Sequence, residues 1–138
     1  MKIPRAWASA FCWLAGLCDF STGVMLVAAP DFTLRLMGIE TLPVEPVFTR
    51  FIGAFVASVG FSYLFPFLFL RGVTRERCVE GMLVTTTIIR LFIAAFTGTA
   101  IARGWLAASW MTVPLSDLTI AAVQLVLLNQ RVFAHADA

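Results

Sequence analysis

At 138 residues, 60% of them hydrophobic and only 13% charged, with a mean hydropathy of +0.91, the chain lies outside the usual soluble mix of about 25% charged residues and reads as an integral membrane protein. Its apolar runs consume most of the length, so a single transmembrane domain over 1–138 is expected, with little left for an aqueous catalytic domain. A net charge of +2 is too small to point to nucleic acid, and the basic residues fall at the ends of apolar runs, as membrane topology requires.

Four segments reach the roughly 20 residues that a hydrocarbon core of about 30 Å demands, at about 6–29, 51–70, 81–102 and 106–128. The expected fold is all-α, a four-helix transmembrane bundle. Lys2 and Arg5 precede the first run as in a secretory signal, but its length, the internal Asp19 and the start at Met1 predict a retained span. Between the first two spans, Pro30 and Asp31 open a helix, Phe32, Leu34, Leu36 and Met37 are apolar, and Gly38 is a stop. A short interfacial helix in the first outer loop follows. Pro43 and Pro46 then predict a stiff, extended connection. This loop reads either as a lid over the bundle end or as a docking surface.

In the second span Tyr63 and Pro66 read as an interfacial tyrosine with a tolerated proline, a lipophilic pocket lining being the alternative. In the fourth, Pro114 removes a backbone donor and clashes with the carbonyl of Trp110, so a kink is expected before Asp117. Lys and Arg counts place Lys2, Arg5, Arg71, Arg75, Arg77 and Arg131 on one side. Arg35, Arg50 and Arg103 fall on the other, beside Asp31, Glu40 and Glu45. Both termini are therefore expected in the cytoplasm, with Trp105 and Trp110 in a belt at the far interface.

Asp19, Arg90 and Asp117 stand near the middle of apolar spans. Facing lipid, three such groups cost on the order of 8–10 kcal/mol, so they should face each other. At ~1.5 Å per residue, Asp19 lies about 18 Å and Arg90 about 14 Å from the cytoplasmic side, and Asp117 about 17 Å from the opposite interface, which puts all three near one plane. Their helix faces agree: Cys12, Ala15, Gly16, Thr22 and Gly23 accompany Asp19; Thr86, Thr87, Ala94 and Thr97 accompany Arg90; Ala121 and Gln124 accompany Asp117. Asp19, Arg90, Asp117, Thr86 and Gln124 are thus the candidate buried polar or ligand site. Arg90 has donors for both carboxylates and for the carbonyl that Pro114 frees. An ionic clasp fixing register is one role, and a proton, ion or polar-ligand site the other, since two carboxylates share one guanidinium.

Small residues at i, i+4 spacing, namely Gly53 and Ala57, then Ala54, Ser58 and Ser62, then Ala94, Gly98 and Ala102, suggest close internal packing. The spacing Gly16, Gly23, Pro30 echoes Gly53, Gly60, Pro66, on too few positions to distinguish from chance. Intramembrane haem ligation by paired histidines is excluded, since the sole histidine is His135. No Cys-x-x-Cys or phosphate-cradling glycine loop occurs. Cys12, Cys18 and Cys78 read as free thiols, and neither a metal site nor an intrinsic cofactor is expected.

The run Gly-Val-Met-Leu-Val-Ala-Ala-Pro-Asp-Phe-Thr-Leu-Arg-Leu-Met-Gly-Ile at 23–39, followed by Arg-Phe-Ile-Gly-Ala-Phe-Val-Ala-Ser-Val-Gly at 50–60, resembles the DoxX-like group of small four-helix membrane proteins. The likeness covers the order of spans and the first outer loop. It implies a bacterial inner-membrane protein, with quinone-linked sulfur oxidation among the associations of some members, and brings no catalytic motif. Two residue classes dominate what is left to bind with: thirteen phenylalanines and the buried charges. The leading expectation is a small subunit or assembly partner of a larger membrane complex, in contact with membrane lipid and other membrane subunits. The alternatives are a quinone or bound-lipid site between the first, third and fourth spans with proton handling at the charges, and a homo-oligomeric transporter or channel.

Overall fold

The computed structural model describes residues 3–40 and 42–133, which leaves Lys2 and His135 outside the described residues. Four long helices form the bundle, α1 (Arg5–Ala28), α3 (Pro46–Phe69), α4 (Gly72–Ala102) and α5 (Thr112–Asn129), with a short α2 (Pro30–Leu36) after α1 and a 3-10 turn (Ala108–Met111) leading into α5. Each long helix, α5 taken with its 3-10 turn, is long and apolar enough to cross a membrane. The protein is an all-α four-helix membrane bundle. No strand occurs among the described residues.

At the starts of α3 and α4 the helix boundaries differ from the apolar runs for one reason. Hydropathy stops where charges begin, but the backbone does not. α3 starts at Pro46, which supplies the preset φ of a first helical position, so the extended connection ends five residues earlier than the expected span start at 51. α4 starts at Gly72, whose φ of 57° makes the tight reversal after Leu70 and Arg71. Its 31 residues rise about 46 Å, well beyond a hydrocarbon core of ~30 Å. The charged first turns carrying Arg75, Glu76, Arg77 and Glu80 therefore stand at or beyond the headgroup level, where they were expected to form a loop.

The bundle is two pairs. α1 packs most closely on α3 and α4 on α5, while α3 and α4 meet more loosely. The first pair is brought together by four glycines. A Cβ on Gly23 would lie 2.2 Å from the Ala57 nitrogen and 2.6 Å from the Gly53 oxygen, and one on Gly60 would lie 2.2 Å from the Phe20 nitrogen and 2.8 Å from the Gly16 oxygen. In antiparallel helices the seven-residue spacings Gly16–Gly23 and Gly53–Gly60 match in reverse, so Gly16 meets Gly60 and Gly23 meets Gly53. What looked like a chance echo in sequence is the crossing itself. Gly53 and Ala57 do pack as expected. By contrast Ala54 and Ser58 are exposed, and a Cβ on Gly98 would meet nothing within 4 Å, so those two stripes do not join helices.

Apolar clusters close both ends. At the end bearing Arg5, Arg75 and Arg131, here the basic end, Ala8, Cys12, Tyr63, Leu83, Leu127 and Phe133 form one core. At the far end α2 lies as a lid, burying Leu34 and Ile39 against Leu26, with Trp110 alongside. Phe32 and Leu36 remain exposed. Between the two clusters lies a polar layer.

Candidate functional site

Arg90 stands at the centre of that layer because α4 carries it past all three other long helices. One amino group donates to Asp117 Oδ1 at 2.6 Å, the other to Asp19 Oδ2, and Nε donates to the Tyr63 hydroxyl at 3.3 Å. The guanidinium carbon also lies 5.8 Å from the centre of the Tyr63 ring, a cation–π distance. Its side chain is 6% exposed, against 17% for Asp19 and 12% for Asp117. The three charges meet as their depth and helix faces require, in a cluster with one carboxylate in excess.

A second, uncharged arm runs from Tyr63 toward the basic end. Gln124 Nε2 donates to the Tyr63 hydroxyl at 2.6 Å and to Thr86 Oγ1 at 2.7 Å, and Thr86 passes its own proton to the Met82 carbonyl at 2.8 Å. Helical spacing explains the line: Thr86 and Arg90 are one turn apart on α4, and Asp117 and Gln124 two turns apart on α5. Gln124 is wholly buried, yet its Oε1 has no hydrogen-bond partner among the described residues. Turning the amide over trades an unmatched acceptor for an unmatched donor, so the deficit persists in either orientation. A buried polar atom left so is costly, by about 1–3 kcal/mol, and marks a place where a further polar group is wanted.

Thr86 connects this arm to a cleft. Along the loose α3/α4 seam runs a cavity of about 690 Å³, walled by Phe61 and Phe65 on α3, floored by Thr85 and Thr86, with Ser62 and Cys78 on its sides. It borders the half of the bundle nearer the basic end and opens on the flank. Small residues leave part of it open: Ser58 and Gly81 line it too, and a Cβ on Gly81 would meet nothing within 4 Å.

Three sequence expectations are corrected here. Pro114 is the third residue of α5, following the 3-10 turn, so the chain breaks its helix before the proline instead of kinking at it. The Arg90 hydrogen bonds go to Asp19, Asp117 and Tyr63, none to the Trp110 carbonyl. Tyr63 is also no interfacial tyrosine: it is fully buried and is the hinge between the charged and uncharged arms. Two signals pointed to it. It is the only tyrosine in the chain, and it shares the face of Gly53 and Gly60 that packs against α1.

Among the described residues no group of three or more histidine, cysteine, aspartate or glutamate side chains is placed to hold a metal ion. Cys12, Cys18 and Cys78 are free thiols. Comparison with protein-family models, with curated proteins and with solved structures finds no match to this chain, so its function has to be argued from the site.

Proposed function

We propose that the protein is a binding protein for a lipophilic molecule with a hydrogen-bonding head, of the quinone class, which enters the α3/α4 cleft from the bilayer. The buried charges then serve as its proton reservoir. The observation that carries this reading is the unmatched, wholly buried Gln124 oxygen, bonded through its own amide to Thr86 in the cleft and through Tyr63 to Arg90. A quinone head offers carbonyl acceptors and, when reduced, hydroxyl donors, so it suits an amide that is unmatched in either orientation. The apolar walls with Phe61 and Phe65 suit its ring and tail. The excess carboxylate supplies a proton-accepting group two residues beyond Tyr63 in the network, reached through Arg90. Kinship with the DoxX-like group, on the runs 23–39 and 50–60, and a bacterial inner-membrane location with both termini cytoplasmic belong to the same proposal.

A second reading is favoured by the two-pair architecture. Arg90 ties α4 to α1, α3 and α5, so the clasp by itself can serve assembly, and the chain can be a small subunit of a larger membrane complex. One experiment separates the two. Cys78 lines the cleft and serves as a reporter when purified protein is treated with a lipophilic maleimide. A short-tailed benzoquinone, its reaction with thiols controlled by using a fully substituted ring, should protect Cys78 in the native protein and fail to do so in Gln124→Leu. Protection no better than that given by an alkane of the same tail length would leave the subunit reading standing and the quinone reading refuted.

A further inference from the structure

A second recess, outside the network, lies at the basic end where α1, α3 and α4 converge with the residues after α5. It holds about 240 Å³ and is lined by Arg5, Ser9, Phe67, Arg75, Glu76 and Phe133, among others. That is the volume of about eight waters at ~30 Å³ each. Arg5 is held in place, its Nη1 2.7 Å from Glu76 Oε1 and its Nε donating to the Val132 carbonyl at 3.2 Å. Arg75 is held differently: its guanidinium carbon lies 6.0 Å from the centre of the Phe67 ring, and it makes no ion pair among the described residues. Ser9 adds a hydroxyl with no hydrogen bond among those residues. Among the described residues that line it, two guanidinium groups and one carboxylate give the recess a net positive charge. One of its cations is stacked and unneutralised, and its walls are phenyl rings.

We propose that this recess binds a phosphodiester anion, that of an anionic phospholipid headgroup, between Arg75 and the remaining N–H groups of Arg5. The charge balance calls for one negative group, and a guanidinium fork with an adjacent hydroxyl matches phosphate oxygens. The location selects the lipid over a free anion. Arg5 is the first residue of α1, Phe67 lies in the last turn of α3, and Arg75 is in the first turn of α4, so the recess sits at headgroup depth with the acyl chains running down the exposed apolar flank. Basic recesses between helices at this level are suited to such headgroups.

The test uses detergent-purified full-length protein, titrated separately with short-chain phosphatidylglycerol, short-chain phosphatidylcholine and inorganic phosphate, with the melting temperature as readout. Phosphatidylglycerol should raise it and the other two should not. Arg75→Lys keeps the charge but loses the planar fork and the stack on Phe67, and should weaken the phosphatidylglycerol response about tenfold. Arg77→Lys, on the exposed side of the same helix, should respond as the native protein does, and both variants should melt normally without lipid. An Arg75→Lys titration that overlays the native one, or an equal loss in Arg77→Lys, would reduce the effect to general surface charge and overturn the proposal. A full shift from inorganic phosphate alone would overturn the assignment to lipid.

Discussion

Replacing Arg90 by leucine removes the one cation from a cluster that reaches every long helix. Three hydrogen bonds go at once, to Asp19, Asp117 and Tyr63, and two carboxyl groups that are 17% and 12% exposed are left without a counter-charge. Breaking a buried ion pair by deleting one partner costs about 3–5 kcal/mol; the residual access of both carboxyls favours the lower end, about 3 kcal/mol, or a fall on the order of 10 °C in melting temperature for a chain of this size. Asp19→Asn and Asp117→Asn behave differently, because each leaves one carboxylate facing one guanidinium, and should cost about 1 kcal/mol or less. The triple change Asp19→Leu, Arg90→Leu, Asp117→Leu removes every charge and should recover most of what Arg90→Leu loses. Melting in mild detergent, followed by the reactivity of Cys12, fully buried in the native fold, orders the four proteins. A triple variant as unstable as Arg90→Leu would show that lost packing, and not unpaired charge, causes the damage; an Arg90→Leu that melts like the native protein would remove the clasp altogether.

Three further outcomes are expected. Gly23→Ala puts a Cβ 2.2 Å from the Ala57 nitrogen and should destabilise by about 1–3 kcal/mol, while Gly98→Ala, with open space around it, should stabilise by ~0.5–1 kcal/mol; equal melting of the two would refute the α1/α3 crossing. Tyr63→Phe leaves Gln124 with a second unmatched group and should cost about 1–3 kcal/mol and weaken Cys78 protection by the quinone, whereas retention of both would place the hydroxyl outside the network. For topology, an impermeant thiol reagent on intact cells should label Val44→Cys, a position 98% exposed, and not Thr74→Cys, each in a cysteine-free background; the reverse pattern would invert the orientation.

How much of this was legible in the chain depended on whether one physical constraint acted alone. The bilayer's penalty for charge is large enough to force Asp19, Arg90 and Asp117 together, and helical periodicity then brought Thr86 and Gln124 onto the same faces. Tyr63 escaped because two constraints compete for a tyrosine in a membrane helix. Interfacial anchoring is the commoner outcome, and only the packing of α1 on α3 shows that this face turns inward. The start of α4 escaped for a related reason, since a helix entering water keeps its backbone hydrogen bonds while its hydropathy signal disappears. The cleft was invisible because it is a property of a seam between two helices, which no single helix's periodicity contains.

Small residues illustrate the point most clearly, because they have opposite effects in two seams of this bundle. Between α1 and α3, Gly16, Gly23, Gly53 and Gly60 each face another backbone, and the helices close until an added Cβ has no room. Between α3 and α4, Ser58, Ser62 and Gly81 are also small, yet the helices stay apart and leave the cleft. The difference lies in what holds the pairs. α1 and α3 must approach closely for Asp19 and Tyr63 to reach one guanidinium, whereas α4 is held off by the length of the Arg90 side chain that spans the gap. The long cation thus sets the separation of the two pairs at mid-bundle, the apolar cluster around Cys12 and Leu83 sets it at the basic end, and small side chains on the flank between them leave that separation as open space with Thr86 at its floor. A cleft made this way is tied to the charge network by construction, since the residue that props it open is the residue to which Tyr63 and Gln124 lead.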